Sequence, residues 1–237
     1  MIGCDCEVCC SIDPRNNRTR PSIAIQSAEH TILVDCAPEM RLQFIANKLT
    51  HADAVFLTHS HADHIFGLDD VRRFNDITGA EIPLFSSPNV LEDIRRIFQY
   101  IFVKTQTGGG KPRLSLHEMP ELLELYGLEV QSVPVMHGKL PILAYRFNDM
   151  AYVTDVNHIP DPSMEKLRNL ELLILDAVRY APHSTHYGLY QALEVVEQLK
   201  PHRTLFTHLS HRMDHNTVNA ILPSGVELAY DGMVIDL

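Results

Sequence analysis

The stretch that most limits how this chain can fold is His59-Ser60-His61-Ala62-Asp63-His64, because it follows without a break on the apolar run Ala54–Thr58. An apolar run of that length reads as a buried strand. The loop after it then carries four imidazole or carboxylate side chains within six residues. Groups so rich in lone pairs and charge cannot enter a core unpaired. They call for a rigid sheet edge, and imidazole nitrogens with a carboxylate oxygen suit zinc, manganese or iron. A solvated loop with a chance histidine cluster accounts for the residues but not for their position at a strand end.

That arrangement recurs along the chain. Ser22–Ser27 and Thr31–Asp35 read as paired strands around a turn, and Pro38 opens a helix whose Leu42, Ile45 and Leu49 share a face. Asn89–Tyr100 reads as a helix. Leu128–Val135, Ile142–Phe147 and Ala151–Thr154 read as successive strands, Leu170–Leu175 as an apolar strand ending at Asp176, and Thr204–Thr207 as a strand ending at His208. Leu189, Ala192, Leu193, Val196 and Leu199 form the apolar stripe of a helix stopped by Pro201. Alternating strands and helices predict a layered α/β architecture. His59, His137, Asp155, Asp176 and His208 each stand just past a strand, where a rigid sheet presents chemistry. The glycine-rich stretch Thr105–Pro112 lacks the spacing and the Ser/Thr of a phosphate-binding loop. It reads as a surface loop, with a lid over the site as the sharper alternative.

A chain of 237 residues predicts one large α/β domain over 1–237. Its formal charge of −10 argues against the broad basic face that long nucleic acid requires. A small anionic substrate is still compatible, since bound metal ions supply local positive charge. The sequence has no apolar run long enough to span a bilayer and no basic-then-apolar leader, so a soluble cytoplasmic protein is expected, with a homodimer as the default assembly. Four of the five cysteines lie between Cys4 and Cys10. Crowding of that kind reads as metal binding rather than as a disulfide framework.

The His-x-His-x-Asp-His run after a strand resembles the signature of the metallo-β-lactamase superfamily. Later motifs match in order: His137 in Val135-Met136-His137-Gly138, Asp155 in Tyr152-Val153-Thr154-Asp155, and His208 in Thr207-His208-Leu209-Ser210-His211. The resemblance implies an αββα sandwich, with two sheets face to face and helices outside. It implies a first metal on His59, His61 and His137, a second on Asp63, His64 and His208, and Asp155 bridging both. Cys4-x-Cys6-x-x-Cys9 together with His211 resembles the structural zinc site of a subgroup that includes the phosphoribosyl 1,2-cyclic phosphate phosphodiesterase, as does the ending Tyr230-Asp231-Gly232-Met233. Three thiolates and an imidazole make a closed tetrahedral site. Cys10 competes with Cys9 for the third thiolate position, and Cys36 reads as a small buried hydrophobe. One departure is clear: the strand and Gly-Thr-Gly-type loop that relatives carry ahead of the cysteines are missing before Met1-Ile2-Gly3-Cys4.

His186, in His183-Ser184-Thr185-His186-Tyr187-Gly188, corresponds to a loop histidine that contacts phosphate in phosphodiesterase relatives and protonates the leaving oxygen. The competing assignment is a capping loop in which Ser184 or Thr185 caps the following helix. His183, His202 and His215 read as surface or packing residues. The expected activity is two-metal hydrolysis of a small phosphodiester, cyclic ones included, by zinc or manganese. Asp63 would accept a proton as well as ligate, and His186 would serve as general acid. An RNA 3′-processing endonuclease is the alternative, short of a basic tRNA-binding arm. A lactonase or thioesterase comes third, and a non-catalytic metal-binding protein of a cofactor pathway last.

Overall fold

The computed structural model describes residues 1–104 and 110–237. Residues 105–109, the first part of the stretch read above as a surface loop or lid, lie outside the described residues. The contacts divide the chain into two compact units: Arg20–Leu128, and Met1–Thr19 together with Glu129–Leu237.

In the first unit, β1 (Ile23–Ser27) pairs antiparallel with β2 (His30–Val34). β3 (Ala54–Phe56), β4 (Ile82–Ser86) and β5 (Leu114–Glu118) follow in parallel, in the spatial order β1-β2-β3-β4-β5. β3 is buried at every residue, which explains why its sequence is an unbroken apolar run rather than an alternating one. Between and after these strands come α1 (Met40–Ala46), α2 (Ala62–Ile65), α3 (Arg72–Thr78), α4 (Pro88–Ile97), α5 (Gln99–Phe102) and β6 (Leu122–Leu125). α2 starts inside the histidine run and carries Asp63 and His64 on its first turns. Leu33, Val55, Leu57, Ile65, Leu68, Leu84 and Ile94 belong to one buried cluster under these elements.

α1 departs from expectation. Met40 and Phe44 are its buried residues, while Leu42 and Ile45 are exposed and Leu49 lies beyond its end. The cause is a close approach at Gly67, where a Cβ would collide with the carbonyl oxygen of Ala37 and stand 2.9 Å from the Cβ of Met40. That contact draws the Met40 side of α1 inward, and Phe44 follows on the same face to meet Phe74 at 4.9 Å.

In the second unit, β7 (Leu128–His137), β8 (Leu140–Phe147) and β9 (Met150–Val153) run antiparallel in turn. β10 (Leu172–Asp176), β11 (Arg203–Thr207) and β12 (Val226–Leu228) continue the sheet in parallel with β9. The connecting helices are α6 (Asp161–Lys166), α7 (Leu189–Leu199) and α8 (His215–Asn219). α7 buries Leu189, Ala192, Val195 and Leu199, with Leu193 and Val196 partly covered, and it ends at Lys200 in a left-handed conformation just before Pro201. Two antiparallel steps return β7 to the direction of β9. The carboxyl ends of β7, β9, β10 and β11 therefore point to one edge of the sheet. His137 and Asp176 are the last residues of their strands rather than the first beyond them. Among the described residues, no helix is long and apolar enough to cross a membrane.

The Gly67 approach gives a direct test. Gly67→Ala should lower stability by about 1–3 kcal/mol, the usual cost of overpacking a tight contact, as measured by urea denaturation. Wild-type stability would mean that α1 can shift to admit a methyl group.

Candidate metal centre

In the first unit the site is built from the ends of β2 and β3. Asp35 follows β2 in a left-handed conformation (φ 63°), and its N–H donates to the carbonyl of Phe56 at 2.8 Å. Its carboxylate is fully buried, yet every bond it needs is close at hand. Thr58 donates from its backbone N–H at 2.8 Å and from its hydroxyl at 2.9 Å, and His64 Nδ1 lies 2.8 Å away. Pairing Nδ1 with a carboxylate fixes the ring and leaves His64 Nε2 to face Asp63, 3.6 Å distant. The Thr58 hydroxyl also lies 3.0 Å from His59 Nδ1, which orients that ring in the same way. The rings of His61 and His64 stand 4.5 and 4.3 Å from that of His59. Ser60 ties the loop to α4, donating to Asp93 at 2.6 Å. The Ser60 hydroxyl and Arg96 hold the Asp93 carboxyl below its ordinary range.

In the second unit the shared strand edge collects the remaining candidates. His137 Nδ1 meets the carbonyl of Thr185 at 2.9 Å. Asp155 stands two residues past β9 in a left-handed conformation (φ 57°) and accepts from the Thr154 hydroxyl at 2.8 Å. His208, directly after β11, brings Nε2 to 3.4 Å from Asp155 Oδ1 and is also left-handed (φ 55°). His186 Nδ1 lies 2.8 Å from Asp176 Oδ2, and its Nε2 lies 3.9 Å from Asp155 Oδ2. Its ring stacks on His208 and meets His137 edge-on, each at 4.8 Å between centroids. One ligand atom from each of His137, Asp155 and His186 lies within 4.8 Å of the others. Burial, reinforced by the charge of Asp155, pushes the Asp176 carboxyl well above its ordinary range. The capping assignment for this loop fails, because the residue that precedes α7 is Gly188, whose N–H donates to Gln191 Oε1 at 3.0 Å. Ser184 and Thr185 lie upstream of the helix start.

The cysteines form a separate cluster in the same unit. Ligand atoms of Cys4, Cys6, Cys9 and His211 all lie within 4.8 Å of one another. His211 Nδ1 is 3.4 Å from Cys4 Sγ and 3.5 Å from Cys6 Sγ. A tetrahedral zinc with Zn–S of ~2.3 Å and Zn–N of ~2.0 Å sets S···N at about 3.5 Å, so the donor set fits that ion. The backbone N–H of Cys9 points at Cys6 Sγ at 3.4 Å and, with His211, lowers the Cys6 thiol to about 6. Cys9 rather than Cys10 belongs to this group, and Cys10 is exposed. Cys36 is buried, and burial raises its thiol.

Asp35 and Asp176 are the residues whose roles the sequence reading left unassigned. Each is a carboxylate that directly ends an apolar strand, and that was the signal available. Of the three histidines read as surface or packing residues, His202 is exposed, His215 is buried, and His183 lies 5.1 Å from His186 between ring centroids.

A family model described as a β-lactamase superfamily domain matches residues 30–209. The chain belongs to the β-lactamase superfamily, a group of hydrolases whose fold binds divalent metal, and it has the mixed α/β, two-sheet architecture expected from its sequence. Within that superfamily it is similar to a solved structure described as a new diphosphatase from the PhnP family. The two are 41% identical over all of this chain and 91% of that one, with a TM-score of 0.92. It is also 36% identical, over 98% of its length, to 48% of a Porphyromonas gingivalis protein named octanoyltransferase. A ribonuclease Z from Thermococcus sibiricus is 30% identical over 66% of this chain and 53% of its own. The chain thus spans about half the length of the curated relatives it matches.

The thiolate cluster generates its own prediction. A Cys4→Ser/Cys6→Ser variant purified without chelator should carry one equivalent of zinc less than wild type by elemental analysis, and should melt earlier. Equal zinc content would remove the structural site.

Proposed function

We propose that the chain is a divalent-metal hydrolase of phosphodiesters, acting on a small substrate, cyclic ones included. The observation that carries this reading is His186. It is an imidazole braced by a buried carboxylate, with its outer nitrogen 3.9 Å from Asp155 and its ring against His208. Hydrolysis of a phosphodiester must protonate a departing oxygen, and a braced imidazole beside the ligand residues meets that need.

The ligands in this reading are His59, His61 and His137 for one ion and Asp63, His64 and His208 for the other, with Asp155 common to both. Zinc and manganese both suit these nitrogen and oxygen donors. A third, structural zinc belongs to Cys4, Cys6, Cys9 and His211. The catalytic ions, when bound, supply charge neutralisation at the phosphoryl oxygens and a water acidic enough to lose its proton near neutrality. The residues do the rest. Asp35 and Thr58 hold His64 and His59 in register. Asp63 accepts a proton on the attacking side. Asp176 accepts a hydrogen bond from His186 Nδ1–H, which fixes the ring and stabilises the imidazolium whose Nε2–H donates to the leaving oxygen.

The description of the solved relative as a diphosphatase keeps diphosphate bonds among the substrates to assay. The ribonuclease Z relatives favour pre-tRNA as the second substrate, against which the charge of −10 counts. The same reading has the chain in the cytoplasm, as a homodimer, free of membranes.

His61→Ala and Asp155→Asn should each abolish turnover of bis-nitrophenyl phosphate while circular dichroism stays that of wild type. Wild-type rates in either variant would sink the metal mechanism, and faster cleavage of pre-tRNA than of any small diester would transfer the assignment to RNA processing. His186→Ala should slow an alkyl phosphodiester about 10²–10⁴-fold and a nitrophenyl one far less, since a phenolate departs with little need of a proton. Asp176→Asn should follow the same pattern more weakly. An unchanged alkyl-to-nitrophenyl ratio of kcat/KM would remove the acid role from His186.

A further inference from the structure

His208 is a non-glycine residue in a left-handed conformation, φ 55°. Such a conformation costs free energy and persists only where its surroundings over-determine it. The residues that follow, Leu209 to Asp214, belong to neither strand nor helix. Their backbone is held by Ser210 N–H donating to Val178 O at 2.9 Å and by Met213 N–H donating to Ser210 O at 3.1 Å. Further support comes from the other end of the sequence. Arg18 Nη1 donates to Ser210 O at 3.1 Å, and Arg18 Nη2 donates to Met213 O at 2.6 Å.

One guanidinium thus grips the loop at two carbonyls, on either side of His211 and within five residues of His208. Arg18 is itself fixed. Nη2 also meets Asn16 Oδ1 at 3.1 Å, and Nε donates to Arg15 O at 3.3 Å. Asn16 is buried, donates to Asp214 Oδ2 at 2.8 Å and accepts from the N–H of His215 at 2.9 Å. Asp214 in turn caps α8 through the N–H of Thr217. The clamp therefore runs from residues 16–18 through both ends of the loop. Its fork geometry is one that lysine cannot copy, because an ammonium is a point charge whose donors do not lie in a fixed plane.

We propose that Arg18 is a positioning residue for His208, holding the 208–214 loop in the conformation that presents the imidazole beside Asp155. This inference rests on the metal-hydrolase reading above and deepens it. In it the amino-terminal segment does two separable things. The cysteines hold their own ion with His211, and Arg18 sets the geometry of a catalytic ligand without touching metal or substrate. Residues that orient a ligand from behind are typically worth about 10–100-fold in metal affinity.

The test uses the full chain, titrated with cobalt after metal removal. Thiolate-to-cobalt charge-transfer absorption reports the Cys4–Cys6–Cys9–His211 cluster, and the visible ligand-field bands of the nitrogen and oxygen sites report the catalytic ions. Arg18→Met should weaken cobalt binding at one catalytic position about tenfold while leaving the thiolate band at full intensity, and kcat on bis-nitrophenyl phosphate should fall more than KM changes. Arg18→Lys, the safeguard should the methionine variant fail to fold, should lie between wild type and Arg18→Met. Catalytic-site affinity within twofold of wild type in the folded variants would overturn the proposal. So would loss of the thiolate band in step with the others, which marks a merely structural role. A wild type that binds cobalt only through thiolates would sink the metal-hydrolase reading and this inference with it. An unchanged variant beside a fully loaded wild type would sink this inference alone.

Discussion

A carboxylate with no access to water must have its bonds satisfied where it stands, and this chain sets two of them at the ends of apolar strands. Asp35 closes β2 and Asp176 closes β10, both fully buried. Each is satisfied by an imidazole Nδ1 at 2.8 Å, from His64 and His186 respectively. The consequence reaches outward from the core. Once Nδ1 is occupied, the ring can rotate little, and the nitrogen left for chemistry is Nε2. The sheet thus determines not only where each histidine sits but which of its atoms is presented.

The two carboxylates differ in their remaining partners. Asp35 receives two donors from Thr58 besides His64. The Asp176 carboxyl is pushed upward by burial and then by the like charge of Asp155, against which the Val156 N–H at 3.3 Å gives some relief. The two imidazoles are thus held from behind by carboxylates with different further support.

Much of this was legible in the sequence, and the reason is periodicity. β3, β9 and β10 are buried at every residue, so each is a largely apolar run whose polar successor stands out, while β11 is buried only at its three central residues. The histidine run, Asp155 and His208 were found that way. What the sequence hid were relations set by tertiary contact. The buried face of α1 turned on the missing side chain of Gly67, to which helical spacing alone is blind. The start of α7 at Gly188 rather than at Ser184 or Thr185 depends on the backbone meeting Ala181, whose carbonyl oxygen lies 2.8 Å from where a Cβ on Gly188 would be. The partners of Asp35 and Asp176 lie 29 and 10 residues away and carry no local signature.

Backbone strain follows the same division. Asp35, Asp155 and His208 all take left-handed conformations without being glycine, and each stands within two residues of a strand end. A strand that continued straight would carry these side chains away from the edge. Reversing the backbone at a single residue instead turns the side chain back over the sheet, at a cost of about 1–3 kcal/mol per site. That cost has to be met by contacts that do not themselves need the chemistry. At Asp35 they are the bonds to Phe56 and Thr58, and at Asp155 the bond from Thr154, all from immediate neighbours on the same strand edges. Beyond His208 the loop is gripped from near the start of the sequence, by Arg18 on Ser210 and Met213, 192 and 195 residues away. Local support makes the first two positions as durable as the sheet, whereas distant support makes the third only as durable as the fold of the amino-terminal segment.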